Sequence, residues 1–389
     1  MKKFKNRREV ADMRFLHTAD WHIGRRLHGF DLTDEQNHAF KQIEQIALNE
    51  HVDGVMIAGD LYDRSMPAEA SVAQLNHMLQ QLNLVDKLPI YAISGNHDSA
   101  IRLSTGTPWF KSTQFYMHTR LDQAFTPVEL PDTQLFLLPY FEPFDAQQYF
   151  NDDSLQHLDQ AFVPIVNKMK SLFDPNKKHL LISHFFVDGS ATTDSETQLK
   201  VGGLAAVPVG LLEGFDYVAL GHLHGKDALH AENARYSGSP VKFSLSEANQ
   251  KKGVFIVDTE PLKLTFKPLT PIRDVQQLTE NFETLADNHF YEHLKLDNYF
   301  GITLKDRKPI PNVMARLRDI YPNIISLDRA DGYETDIEDS GESGEQIRQK
   351  DPMDLLGDFY KQVAKDDLTP QQIKWAREAL KIADNGGIK

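Results

Sequence analysis

At 389 residues the chain can fill a complete hydrophobic core and more than one domain, and 41% apolar with 25% charged residues is the balance of a globular protein in water. It contains no cysteine, which excludes disulfides, cysteine-rich zinc modules and thiol nucleophiles, so any metal must be held by Asp, Glu, His or Asn. The formal net charge of -14 argues against wrapping nucleic acid over the whole surface, and no run nears the roughly 20 apolar residues that span a bilayer.

Residues 1–12 are basic but lack the apolar stretch of a signal peptide, and read as a flexible leader ahead of Met13. Arg14 to Thr18 predicts a short strand, with Asp20-Trp21-His22 where it ends and a turn through Gly24 and Gly29 behind it. Phe40, Ile43, Ile46 and Ala47 recur at helical spacing and predict a helix over 33–49. Val52 to Ala58 is the next apolar run and delivers Gly59-Asp60. Pro67 opens a second predicted helix, to about Leu82, carrying Val72, Leu75, Met78 and Leu79. A third strand, Pro89 to Ile93, ends in Ser94-Gly95-Asn96-His97-Asp98. Strand, loop and helix repeated in this way predict βαβ units, a mainly parallel sheet, and functional loops at the carboxyl ends of its strands.

From Phe115 the runs shorten (Phe115 to Met117, Phe125 to Leu130, Gln134 to Leu138), which predicts a second, partly antiparallel sheet. A helix over about 155–172 leads to the strand His179 to Ser183, with His184 at its end. Residues 186–201 show no periodicity and many small polar groups, the composition of a long loop beside a site. Tyr217 to Leu220 delivers Gly221-His222-Leu223-His224. Ala234 to Pro240, Gly253 to Val257 and Leu262 to Phe266 read as closing strands.

After Pro271 the pattern becomes helix (275–285), strand (293–303), helix (311–321) and strand (324–327), a small α+β domain. Between Asp328 and Glu345 eight acidic residues face one arginine, with three glycines, so 331–350 reads as an acidic linker. Two amphipathic helices follow. The first runs from Pro352 through Val363, and the second, capped by Thr369-Pro370, carries Ile373, Trp375, Ala376, Leu380 and Ile382. The expected division is therefore leader 1–12, main domain 13–270, small domain 271–330, linker 331–350 and helical tail 351–385.

Asp20, His22, Asp60, Asn96, His184, His222 and His224 nearly all follow strand candidates, where loops converge at one end of a sheet. Carboxylate, amide and imidazole together suit two divalent cations, and Asp60 can give one oxygen to each. Manganese is the expected ion, with magnesium, iron or zinc as alternatives, because no soft ligand is present. Two such cations can activate water and hold the oxygens of a phosphate in phosphodiester hydrolysis. His97, beside a ligand without being needed as one, is the candidate proton donor to the leaving oxygen or, alternatively, stabiliser of the charge developing on the transferring group, and Asp98 is placed to orient it. A loop cap is the plainer role for Asp98. His17, inside the first strand, fits a core histidine as readily as a supporting group, and Arg25 and Arg26 could meet a phosphate or merely solvent.

Asp20-x-His22, Gly59-Asp60, Gly95-Asn96-His97-Asp98, His184 and Gly221-His222-x-His224 together resemble the calcineurin-like metallophosphoesterases. The longer runs 16–24, 59–63, 93–99 and 217–224, with Tyr236-Ser237-Gly238-Ser239-Pro240, resemble more closely the SbcD family of bacterial SbcCD nucleases. That likeness runs from Met13 to about residue 266 and returns in Asp351 to Leu356 and in Phe359-Tyr360. It implies an α/β fold, a four-layer αββα sandwich with a small α+β capping domain and C-terminal helices. It assigns one cation to Asp20, His22, Asp60 and His224, the other to Asp60, Asn96, His184 and His222, and the catalytic histidine's role to His97. It also implies manganese and a homodimer that completes a heterotetramer. The implied partner is a coiled-coil SbcC-type ATPase, gripped by the tail helices. The implied activity is ATP-dependent exonuclease action on duplex DNA, with endonuclease cleavage of hairpins and single strands. No Gly-rich loop followed by Gly-Lys-Ser/Thr occurs, so no ATP site is expected in this chain. No membrane association is expected, and a cytoplasmic location. The chief rival is a phosphoesterase for small molecules or nucleotides with the same metals, and a non-catalytic scaffold is the second. The domain after Pro271 and the tail argue against the first, and the full ligand set against the second.

Overall fold

A computed structural model describes residues 13–196, 206–330, 351–364 and 367–384, so the expected leader 1–12 and acidic linker 331–350 lie outside the described residues. The chain divides into two compact units. One comprises residues up to Leu304 with Asn312–Asp328, and the other Lys305–Pro311 with the residues from Arg329 onward.

In the first unit, β1 (Arg14–Thr18), a small hairpin of β2 (Arg26–Leu27) and β3 (Phe30–Asp31), β4 (Gly54–Ala58), β5 (Ile90–Ile93) and β6 (Phe115–His118) come first. Then follow β7 (Val128–Glu129), β8 (Thr133–Leu138), β9 (Lys178–His184), β10 (Tyr217–Gly221), β11 (Ala234–Tyr236), β12 (Gly253–Thr259) and β13 (Leu262–Pro268). They form two main sheets, ordered β13-β12-β1-β4-β5-β6 and β11-β10-β9-β8-β7. From β1 to β6 the first sheet is parallel, and β12 and β13 close it antiparallel. The second is parallel from β8 to β11, with only β7 antiparallel. Two expectations change here. Phe115–His118 is the edge strand of the first sheet, continuing its βαβ series, and the second sheet is mainly parallel because β8, β9, β10 and β11 are joined by crossovers.

Period-two alternation along these strands builds four layers. Phe15, Met56, Tyr91 and Ile93 of the first sheet pack against Leu135, Leu137, Leu180, Ile182 and Tyr217 of the second. Their neighbours Leu16, Val55, Ile57, Ile90 and Ala92 face outward onto Phe40, Ile43, Leu75 and Met78 of helices Thr33–Asn49 and Glu69–Gln80. On the far side Phe136, Leu138, Leu181, Val218 and Leu220 pack on Ala161, Phe162, Ile165 and Met169 of helix Leu158–Lys170. This is the αββα sandwich. Strands buried on both faces read as continuous apolar runs, as they do here. His17 lies between the sheets, its Nδ1 2.9 Å from the Tyr217 hydroxyl and its Nε2 3.2 Å from the Leu220 carbonyl. It is a core histidine, and burial pushes its pKa down to about 3.

The segment after Pro271 departs from expectation. Val275–Glu280 is a strand, β14, and only Phe282–Leu285 turns helical. Val275, Leu278, Phe282 and Leu285 imitate helical spacing, but parallel pairing with the apolar strand β15 (Tyr299–Leu304) wins. With β16 (Ile324–Arg329) they form a third sheet, β14-β15-β16. Val275, Tyr299 and Ile325 pack on Leu27 and Leu32 behind the small hairpin and on Phe243. Arg273 Nε and the Tyr299 hydroxyl meet Glu35 Oε1 at 2.5 and 3.0 Å, tying the segment to helix Thr33–Asn49.

In the second unit, helices Pro352–Ala364 and Pro370–Asp384 follow each other. Thr369 and Gln372 form a reciprocal capping box, Gln372 N donating to Thr369 Oγ1 (3.3 Å) and Thr369 N to Gln372 Oε1 (2.9 Å). Phe359 and Trp375 stay 62% and 60% exposed. No helix among the described residues is long and apolar enough to cross a membrane.

Candidate metal centre

All seven expected ligands converge at the carboxyl ends of strands from both main sheets. The loops after β1 and β4 are joined by Asp20 N to Gly59 O (3.1 Å) and His22 N to Asp60 O (3.0 Å). Asp20, His22, Asp60 and His222 all hold positive φ (54°, 43°, 51° and 100°). Each costs about 1–3 kcal/mol for a non-glycine residue, and strain gathered in this way marks a site over-determined by its surroundings. The glycines of the motifs are explained by close approach. A Cβ on Gly95 would lie 2.2 Å from Asp60 Oδ1, and one on Gly59, itself at φ +87°, would lie 2.4 Å from His184 Nδ1.

Asp60 Oδ2 lies 3.2 Å from His184 Nε2 and 3.6 Å from His22 Nε2, within reach of both imidazoles. Asn96 Oδ1 is 3.0 Å from both His184 Nε2 and His222 Nδ1. His22 and His224 turn their Nε2 atoms toward each other at 3.1 Å. Asp20 Oδ1 accepts from His222 N at 2.9 Å, while Asp20 Oδ2 and His22 Nδ1 are buried without a hydrogen-bond partner among the described residues. Three sets, Asp20 with His22 and His224, His22 with Asp60 and His97, and Asp20 with Asp60 and His184, each place ligand atoms within 4.8 Å of one another.

Ring nitrogens crowded on one carboxylate, beside a buried orphan carboxylate oxygen, are satisfied together by divalent cations. The residues fit such ions, and the electrostatics agree. Burial raises the pKa of Asp20 well above the usual range, while burial lowers that of His22 well below its own, against the pull of the Asp60 carboxylate. Burial also drives His222 down to about 3. Burial opposes charge on His184 as well, but the Asp60 and Asp20 carboxylates outweigh it and raise its pKa to about 9. A cation held by these groups would displace a proton from His184.

His97 donates its backbone N–H to Asp60 Oδ1 (2.9 Å), and its ring Nδ1 lies 2.8 Å from the Asp63 carbonyl, edge-on to His22 with ring centroids 4.8 Å apart. Asp98 accepts backbone N–H groups from Gly95, Leu61 and Tyr62 at 3.0, 3.1 and 2.9 Å. Thus the Asp63 carbonyl fixes the Nδ1 edge of His97, whereas Asp98 acts as a loop cap that staples the β4 and β5 loops together. Burial and nearby Asp60 raise the Asp98 pKa to about 7, opposed by those three N–H groups. Arg25 sits 3.5 Å from Asp63, donates to Ser195 O (2.6 Å) and lies over the Phe243 ring, so it is held by protein groups at the site's edge. Arg26 is exposed.

The calcineurin-like phosphoesterase family model matches residues 13–226, a span containing every expected ligand. The SbcD component of the SbcCD nuclease of Staphylococcus epidermidis is 35% identical over 365 residues, 92% of this chain and 96% of that protein. The chain belongs to the SbcD family. An SbcD-family C-terminal model, described as the type 5 capsule protein repressor C-terminal domain, matches residues 270–364. Among solved structures, a Thermus thermophilus protein is 12% identical, covering 67% of this chain and 100% of its own, with a TM-score of 0.41. A dimetal phosphatase from Danio rerio is likewise 12% identical, covering 67% and 97%, with a TM-score of 0.39. As an SbcD-family calcineurin-like phosphoesterase, the chain is a metal-dependent phosphodiesterase.

The groups that hold His224 from behind carry no signal in the sequence. In this SbcD-family chain Glu196 Oε1 accepts from His224 N (2.7 Å), and Lys252 Nζ donates to His224 O (2.8 Å). Phe243 walls the site, its ring centroid 5.4 Å from both His22 and His224. None of these residues lies in a spaced motif, and only the fold brings them together.

Proposed function

We propose that this chain is the nuclease component of an SbcCD-type complex, hydrolysing phosphodiester bonds of DNA at the seven-residue centre. The observation that carries the reading is the convergence of Asp20, His22, Asp60, Asn96, His184, His222 and His224 from five loops onto one strained, buried spot. In this reading Asp20, His22, Asp60 and His224 hold one cation, and Asp60, Asn96, His184 and His222 hold the other, with manganese the expected metal. When bound, the cations supply the positive charge that makes water nucleophilic and that offsets charge on the phosphoryl oxygens. The protein's own contribution is geometric and protonic. The left-handed backbone at Asp20, His22 and Asp60 directs their side chains inward, and Gly59 and Gly95 let the loops approach. His97, whose Nδ1–H is held by the Asp63 carbonyl, would donate from Nε2 to the leaving oxygen as an imidazolium carrying protons on both ring nitrogens. Asp98 keeps the loop carrying His97 in register with Asp60.

Substrate and assembly rest on the kinship. An SbcD-type nuclease works beside an SbcC-type coiled-coil ATPase, and Phe359 and Trp375 offer apolar contacts for that partner. The homodimer within a heterotetramer, the boundaries at about 270, 331 and 351, and a cytoplasmic location belong to the same reading. The surplus of acidic residues favours a DNA-binding surface supplied largely by the partner. The test is manganese-dependent cleavage of end-labelled duplex and hairpin DNA, by the chain alone and with its ATPase partner, with and without ATP. Hydrolysis of a generic phosphodiester with no cleavage of either DNA, even with partner and ATP, would move the reading to a small-molecule phosphoesterase.

A further inference from the structure

Glu247 ends a short turn, Leu245–Glu247, between β11 and β12, and it is wholly buried. Its Oε1 accepts from the Ser195 hydroxyl (2.5 Å), from Phe243 N (3.2 Å) and from the Ser244 hydroxyl (3.2 Å). Its Oε2 lies 2.5 Å from Lys252 Nζ. Lys252 is buried as well, and it also donates to Ser239 Oγ (2.9 Å) and Gln250 Oε1 (2.8 Å). A buried ion pair of this kind adds little stability by itself, because removing two charges from water costs about what their attraction returns. Its position suggests another use. Ser195 Oγ is 2.6 Å from His224 Nδ1, and Glu247 Oε1 itself is 3.7 Å from the same nitrogen.

Proton counting then fixes the ring. An ionised carboxylate only accepts, and a hydroxyl has one proton. The Ser195 proton goes to Glu247, so Ser195 Oγ offers lone pairs to Thr193 Oγ1 at 2.9 Å and to His224. His224 must therefore carry its proton on Nδ1, leaving a bare lone pair on Nε2. That Nε2 is the atom turned toward His22, on the side away from Glu247.

We propose that Glu247, clamped by Lys252 and acting through the Ser195 hydroxyl, is a positioning residue that holds His224 as its Nδ1–H tautomer with Nε2 free to bind a divalent cation. The inference rests on the metal reading of His224. Carboxylates placed behind metal-bound imidazoles raise ligand basicity and fix ring orientation, and losing one costs about 10–100-fold in metal affinity.

The experiment uses the full chain freed of metal with a chelator, comparing wild type with Ser195→Ala, Ser195→Thr and Glu247→Gln. Manganese binding is followed by calorimetry, the His224 tautomer by nitrogen-15 NMR of the metal-free protein, and folding by thermal melting in chelator. The expected result is Nδ1–H at His224 in the wild type and about 10–100-fold weaker binding of one manganese ion in Ser195→Ala. Ser195→Thr should restore binding, which a merely structural role would not require. Ser195→Ala leaves the Glu247–Lys252 pair intact, so it decides the matter even if Glu247→Gln fails to fold. Wild-type affinity in Ser195→Ala, or an Nε2–H tautomer in the wild type, overturns the proposal. A wild-type chain that takes up no manganese overturns instead the metal reading beneath it.

Discussion

Gly221 is where the two sheets and the site meet, and Gly221→Ala measures how tightly. Gly221 pairs with His184 in the second sheet, and a Cβ there would lie 1.9 Å from the Ala58 carbonyl of β4, 2.8 Å from His184 Nδ1 and 3.0 Å from Ala19 Cβ. The obstructed atom is backbone, so no rotamer change relieves it, and ordinary contact needs about 1.5 Å more separation. The same carbonyl faces His184 Nδ1 at 2.7 Å, so that hydrogen bond is lost as the sheets part. Overpacking costs about 1–3 kcal/mol and a lost hydrogen bond about 1 kcal/mol, so the variant should be about 2–4 kcal/mol less stable. It should still fold, since domains of this kind hold about 5–15 kcal/mol. A His184 ring displaced by about 1 Å should lower turnover about 10²-fold. Urea unfolding in chelator gives the first number, and manganese-dependent hydrolysis of bis(p-nitrophenyl) phosphate the second. A variant within about 0.5 kcal/mol of wild type and fully active would refute the close approach of the sheets at this point.

Three further outcomes are expected. His97→Ala should keep its metal, by calorimetry, yet lose about 10²–10⁴-fold in turnover, and unchanged turnover would remove His97 from proton transfer. His17 titrates near 6.5 when unfolded and is lowered to about 3 when folded, so between those values the unfolded chain binds the extra proton and stability falls as pH falls. From pH 7.5 to pH 5 this group should cost about 2 kcal/mol, read from urea midpoints, and His17→Gln should remove that part of the slope. Replacing the exposed Phe359 and Trp375 by Ser should abolish binding to the ATPase partner in a pull-down while leaving phosphodiester hydrolysis intact.

Much of the core was legible because its physics is local. Apolar runs ending in Asp20, Asp60, Asn96, His184 and His222 fixed both the strands and the end of the sheet at which ligands gather. The helix expected over 33–49 has those very bounds. What failed depended on partners distant in sequence. Val275 to Leu285 carries helical spacing, and only pairing with Tyr299–Leu304 makes its first half a strand. Phe115–His118 reads alike for either sheet, and its neighbour Ile90–Ile93 decides. Asp98 beside His97 suggested a carboxylate on the ring, but the turn aims it at three backbone N–H groups. Ser195, Glu247 and Lys252 carry no spacing signal toward His224, since three separate loops deliver them.

The most direct test of the centre is the number of manganese ions bound at saturation by wild type and by Asp60→Asn, counted by elemental analysis after removing free metal. Two ions are expected per wild-type chain and at most one in the variant, because Asp60 lies within reach of both His22 and His184 and serves both positions. One ion or none in the wild type, or two retained without Asp60, would contradict that expectation.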